Sequence, residues 1–310
     1  MKINTMKLKM LSSALMIAGL SSGAVHALPL APLFNSAPTA TLLSDNSAEF
    51  LINVDGSTSA GGTPTVSAGD LLIAIVGINT IEGTTIGSGT SYNELTALNA
   101  VKVSSTPPPA DIDFAPAGPD DSMGSQAIDL WQFAFEPLAA TDAVAAGFNF
   151  SDFGGGQMTG DGTITVVFED AANNYNRDGT IAQGITSATD GDLRFAIGLD
   201  ATGSSDFFSA IAPLDIGDFL ALSSVTAVDN SNLSLDGTIT FQDFPGLVLN
   251  NDITGGNGGL SSSSNVAGGF PIFDNLDFTV NATLVPEPGS LALIGMGLLG
   301  FGAMRRAKRS

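Results

Sequence analysis

The sequence contains no cysteine, and its 310 residues include one histidine, one tryptophan and two tyrosines. The histidine, His26, lies in an N-terminal stretch with the form of a cleavable leader. The mature body is therefore expected to have neither imidazole nor thiol. That excludes Ser-His-Asp and Cys-His catalysis, histidine zinc sites and thiolate metal sites together. Acid–base work would fall to carboxylates, to Tyr92 and Tyr175, and to Lys102. Disulfides are excluded as well. A body of this length can be held by its own core without them.

Positive charge is the second scarcity. Between Leu28 and Val285 only Lys102, Arg177 and Arg194 stand against 25 Asp and 5 Glu, a net charge of −27 over 258 residues. The whole-chain value of −21 conceals this, because seven of the ten basic residues lie in the two terminal segments. Such a body repels nucleic acid and anionic lipid surfaces, so no nucleic-acid partner is expected. Its apolar content is nonetheless that of a folded chain, with 44% hydrophobic residues overall. The length allows one large all-β domain or two small ones.

Residues 1–27 have the order of a secretory signal peptide: Lys2, Lys7 and Lys9, then the apolar run MLSSALMIAGL, then Val25-His26-Ala27. Small residues at Val25 and Ala27 fit signal-peptidase cleavage between Ala27 and Leu28. Signal peptidase and the secretion translocon are the partners this implies.

The other end, residues 285–310, reads VPEPGSLALIGMGLLGFGAMRRAKRS. From Gly289 to Met304 it is uncharged over 16 residues. As a helix that run spans roughly 24 Å at 1.5 Å per residue, short of the roughly 30 Å of a bilayer core. Gly295, Gly297, Gly300 and Gly302 within it weaken a helix further. Arg305, Arg306, Lys308 and Arg309 follow at once and favour a cytoplasmic tail. Pro286 and Pro288 hold the preceding segment extended. The segment is thus expected to insert transiently in the inner membrane, with Pro286-Glu287-Pro288 at its outer boundary.

Those features in that order resemble the PEP-CTERM sorting signal of Gram-negative bacteria. The resemblance implies processing by an exosortase, an integral membrane cysteine protease, and a final place at the cell surface, outer membrane or medium. It also implies a setting of extracellular polysaccharide, biofilm or floc. It covers about 25 residues and says nothing of what the body, residues 28–284, does.

Within the body, residues 28–39 are Pro-rich and predict an extended lead. Six segments predict strands: 49–54, 71–78, 163–169, 193–199, 233–241 and 276–284. The continuous run LLIAIVGI (71–78) predicts a strand buried on both faces. ELTALNAVKV (94–103) also leans to a strand, and residues 104–121 to a Pro- and Asp-rich loop. Asp-Gly-Thr-Ile occurs at 161–164, 178–181 and 236–239, and predicts hairpin turns leading into strands. The glycine clusters 154–156 and 255–259 predict flexible loops. The expected class is all-β, an antiparallel sandwich or jelly roll, with an elongated solenoid as the alternative.

Chemistry is sparse. Asn174, Asn176 and Asp178, followed by Gly179, begin as a calcium loop begins, but its twelfth position is Ile185. Glu169 and Asp170 lie just upstream. No cofactor is expected, and this weak Ca²⁺ candidate is the nearest approach to a metal site. No context selects a catalytic carboxylate pair. Trp131 in DLWQFAFEP reads as a core residue before a sugar-stacking one. The expectation is an exported, non-enzymatic surface or matrix protein. A Ca²⁺-dependent carbohydrate-binding module and a carboxylate-based glycan-active enzyme are the alternatives.

Overall fold

The computed structural model describes residues 28–36, 38–58, 66–104, 129–139, 162–199, 206–214, 224–225, 231–262, 268–270, 272–273, 275–285 and 296. The first half contributes β1 (Thr41–Ile52), β2 (Val66–Ser67), β3 (Leu71–Ile81), β4 (Thr84–Thr85), β5 (Glu94–Ser104), β6 (Asp129–Pro137) and β7 (Thr163–Asp170). A helix, α1 (Ile181–Thr189), separates these from β8 (Asp192–Gly198) and β9 (Phe207–Leu214). The remainder is β10 (Ser224–Val225), β11 (Ser231–Gln242), β12 (Leu247–Ser262), β13 (Ile272–Phe273) and β14 (Asp277–Leu284).

The all-β expectation holds, but the sheet is not split into two stacked layers. Its antiparallel pairings run β1–β3–β5–β7–β8–β11–β12–β14 and return to β1, closing eight strands into a barrel-like ring. Between β5 and β11 the wall forks. Residues Glu94 to Asn99 of β5 pair with β7, whereas Val101 to Ser104 pair with β6. β6 then pairs with β9, and β9 with the first half of β11. Period-two burial is common to a sandwich and a barrel, so only these long-range pairings distinguish them. The same ring excludes a solenoid.

All six predicted strands lie in strands, and ELTALNAVKV is β5. β1 begins eight residues before the predicted 49–54 segment and ends at Ile52. β3 is covered on both faces, as its unbroken apolar run predicts. Leu72, Ala74, Val76 and Ile78 join the barrel interior with Leu43, Leu95, Phe195 and Ile253. Leu71, Ile73 and Ile75 point outward into a second layer with Phe50, Leu98, Phe168, Ile185 and Phe270. In that layer Phe50 and Phe270 meet edge to face, their centroids 5.8 Å apart.

The helix α1 roofs the outer layer. Thr180 caps it, accepting from the Gln183 amide while the Gln183 side chain accepts from the Thr180 amide, a reciprocal capping box. Thr96 Oγ1 donates to the Ala188 carbonyl at 2.9 Å and ties the helix end to β5. Gly184 lies against Ile75 and Phe270, where a Cβ would overlap both side chains. The helix can approach the sheet this closely only without a side chain there.

The three Asp-Gly-Thr-Ile strings therefore have three fates, and the hairpin expectation fails for two. At 162 the glycine takes φ +86° and starts β7, as a turn requires. At 178–181 the string caps and opens α1 instead. At 236–239 it lies inside β11, where Asp236 pairs with Thr254 and Gly237 with Ile253. Identical local sequence is overridden by what flanks it. The cluster at 255–259 is likewise no loop. Gly255 and Gly258 continue β12, paired to Leu235 and Leu233 of β11. Leu276 and the Asp277 carbonyl lie close to where a Gly255 Cβ would stand, which is how β12 passes through a glycine cluster as a paired strand. The 154–156 cluster, the loop after Ser104 and the leader lie outside the described residues.

Candidate functional site

The Pro-rich lead does more than extend. Pro32 sits in a short 3₁₀ turn, Ala31–Leu33, which lays the lead across one end of the barrel. Leu28 bridges to Tyr92, with its amide donating to the Ser91 carbonyl at 2.7 Å and its carbonyl accepting from the Asn93 amide at 2.9 Å. Leu30 and Phe34 are buried and belong to the barrel interior. The Phe34 ring meets Phe244 edge to face at 5.4 Å. The lead is a strap that plugs this end of the barrel.

A cleft of about 360 Å³ opens beside the strap. Pro29 and Pro32 form one wall, and Phe244 and Pro245, on the β11–β12 connection, form another. Leu284 and Val285 close it, with the Val285 amide donating to the Gly246 carbonyl at 2.8 Å. The floor is ionic. Arg194 Nε donates to Glu169 Oε2 at 2.8 Å, and Arg194 Nη2 to Asp192 Oδ2 at 3.0 Å. Glu169 Oε1 accepts from the Leu30 amide at 3.1 Å and from Asn93 Nδ2 at 2.8 Å. The Glu169 side chain is 2% exposed and that of Arg194 15%. The guanidinium also lies over the Phe244 ring, 5.8 Å from its centroid. Glu169 is thus satisfied by three donors, one of which fixes the strap. One of the body's three cations is spent on holding the fold's end shut.

On the outer face of the same end, Glu94 is buried beside the 173–176 loop. Its carboxylate accepts from the amides of Asn174 and Tyr175 at 3.0 to 3.1 Å. The Tyr175 hydroxyl donates to the Ile75 carbonyl at 3.0 Å and pins the loop to β3. Burial pushes the Glu94 carboxyl up to about 7. The amide bonds from Tyr175 and Asn174 oppose the shift, and the charges of Asp170 and Asp190 add to it. A carboxyl raised in the fold from 4.5 supports stability below pH 4.5, and that support fades as pH rises through about 7. The melting temperature should therefore fall between those pH values. Glu94→Gln should flatten that part of the curve in a pH series of thermal melts. An unchanged slope in the variant would assign the loss to other carboxylates. Asp236, on β11, is raised as well, by burial and then by the charges of Asp206 and Asp252.

The calcium-like residues have hydrogen-bond and ion-pair partners within the protein. Asn174 Nδ2 donates to Asp190 Oδ2 at 2.9 Å. The Asn176 amide donates to Ser187 Oγ, and Asp178 pairs with adjacent Arg177 at 3.4 Å. Among the described residues no three acidic or histidine side chains are grouped to hold a metal ion. Upstream Glu169 is occupied by Arg194, as above. The sequence analysis missed the cleft's Glu169–Arg194 pair. The signal for it was the rarity of basic residues in an acidic body, which makes any one of them a candidate partner for a buried carboxylate.

Of the residues expected from the sequence to take part in processing, Leu28 is described and Ala27 is not. Pro286, Glu287, Pro288, Arg305, Arg306, Lys308 and Arg309 also lie outside the described residues. Met296, in the apolar run, is helical and exposed. Among the described residues no helix is long and apolar enough to cross a membrane.

Comparison with known proteins matches residues 284–306 to the family described as the PEP-CTERM protein-sorting motif. No curated protein and no solved structure matches the chain. Leu284, the last residue of β14, is also the first residue of the matched segment. The chain therefore carries a PEP-CTERM protein-sorting motif directly after its closing barrel strand, which marks it as an exported protein directed to an exosortase for sorting to the cell surface.

Proposed function

We propose that the barrel is a non-enzymatic component of the outer cell surface or extracellular matrix, and that it associates with extracellular polysaccharide in biofilm or floc. The continuity of the last barrel strand with the sorting motif carries this reading. It makes the whole barrel the cargo, with no linker domain between cargo and address. Two features support a structural role. The mature body lacks histidine and cysteine, and the cleft's Glu169 spends its oxygens on three donors, leaving no acid–base pair there. The −27 body suits contact with neutral glycans, or with acidic ones through bridging cations.

The test has two arms. Intact mass of the protein recovered outside cells, from strains with and without the exosortase, should show the tail beyond the Pro-Glu-Pro region lost only when the enzyme is present. A tail retained in both strains would remove the sorting step. Processed protein should then co-sediment with the matrix polysaccharide of its host. Failure to do so, with and without Ca²⁺, would remove the polysaccharide role. Co-sedimentation that depends strictly on Ca²⁺ would favour a calcium-dependent carbohydrate-binding module. Turnover of the polysaccharide would favour a glycan-active enzyme.

A further inference from the structure

Leu28, which follows the leader, and Val285, which precedes the Pro-Glu-Pro segment, lie at the same end of the barrel. The cleft shows their proximity directly, since Pro29, Ala31 and Pro32 of the strap line it together with Leu284 and Val285. Ser36 also bridges to Ala282 of β14. An antiparallel barrel has two ends, and nothing in the sequence pattern requires both junctions to share one.

Exposed apolar side chains lie at that end among acidic ones. The exposed large apolar residues include Leu28 (50%), Val248 (46%), Leu284 (42%) and Val285 (45%). Val248 pairs with Thr283, and Leu247 with Leu284, so Val248 stands beside the exit of β14. Exposed apolar residues scattered singly need no explanation, but four gathered around both junctions do. Asp192 and Asp243 are exposed next to them, Asp243 through its amide bond to the Arg194 carbonyl at 2.7 Å.

The geometry points to a membrane-facing end: before processing, the rim formed by Leu28, Val248, Leu284 and Val285 rests on the outer surface of the membrane that holds the leader or the sorting segment. The occupant is a lipid headgroup surface, and the argument for it is where the chain leaves the barrel. In the sequence an apolar run precedes Leu28 and another follows Val285, and those two residues lie at the same end of the barrel. A barrel tethered there cannot turn its opposite end, with the Asp55 turn after β1, toward the lipid. β1 alone separates the two ends by roughly 36 Å at 3.3 Å per residue. The neighbouring Asp192 and Asp243 select against an anionic surface, so the favoured headgroups are zwitterionic. The inference rests on the sorting reading above and adds an orientation to it.

The absence of native cysteine makes the test clean. Val248→Cys and Leu284→Cys on the rim, and Asp55→Cys on the far turn, would each carry a fluorophore on the full chain made in a host without exosortase. Each protein would be reconstituted into phosphatidylcholine vesicles containing a headgroup nitroxide quencher, and flotation would measure vesicle association separately. The expected result is flotation of all three, with the labels at 248 and 284 quenched several-fold more than the label at 55. Equal quenching at the three sites, or none in floating protein, would overturn the orientation while leaving membrane insertion intact. Failure of all three proteins to float would overturn insertion itself, and the orientation with it. The two rim sites check each other against a local folding defect.

Discussion

Arg194→Ala should be among the most destabilising single substitutions in the barrel, costing about 3–5 kcal/mol, because it leaves a buried carboxylate without its cation. Glu169 is 2% exposed, and the two donors that remain, the Leu30 amide and Asn93 Nδ2, carry no charge. The loss should spread beyond the pair. Glu169 fixes the strap at Leu30, and Leu30 and Phe34 plug the barrel end. Phe244 would also lose the guanidinium over its ring. Urea unfolding would read the cost. Hydrogen exchange should show the Leu30 and Val285 amides opening first. The double variant Glu169→Gln with Arg194→Met keeps an acceptor for the strap and removes both charges. It should be more stable than Arg194→Ala at neutral pH. If Arg194→Ala costs less than about 1 kcal/mol, the pair behaves as a surface ion pair and the strap is held by its apolar residues alone.

Phe50→Ala should cost a similar amount by a different route. Phe50 is fully buried in the layer between the barrel wall and the roof formed by α1, edge to face with Phe270. Truncating a buried phenylalanine costs about 3–5 kcal/mol, through lost transfer energy and an unfilled cavity. For a domain of this size that lowers the melting temperature by roughly 10 °C. Phe50→Leu retains most of the volume and should cost less than half as much. The two substitutions also separate the layers. Phe50→Ala should loosen α1, so protection of the Gly184 amide against exchange falls before that of the barrel strands. Uniform loss across all strands would show that roof and barrel unfold as one unit, in which case the outer layer belongs to the main core.

Residue by residue, the strands were legible wherever burial follows a period of two or an unbroken apolar run. LLIAIVGI is buried on both faces for the reason its composition suggests: one set of side chains enters the barrel and the other meets α1 and Phe270. The helix was legible too in its Thr180/Gln183 cap, but the shared Asp-Gly-Thr-Ile string drew attention to turns instead. The Gly255 cluster was misread because composition marks a loop where a paired strand passes close to Leu276. The cleft was beyond reach. Glu169, Arg194 and Leu30 are separated by 25 and 139 positions and meet only because β7, β8 and the strap end together.

The β class, the acidic composition and the address follow from the sequence alone. Each depends on composition or on a contiguous segment, and the sorting motif in particular is complete within residues 284–306. The tertiary structure alone decided that the sheet closes into a barrel rather than a sandwich. It also decided that the strap is pinned by a buried ion pair and that the strap meets the end of β14 at one end of the barrel. Those properties are set by which strands pair across long separations. Local periodicity records which face of a strand is buried, but not which partner buries it.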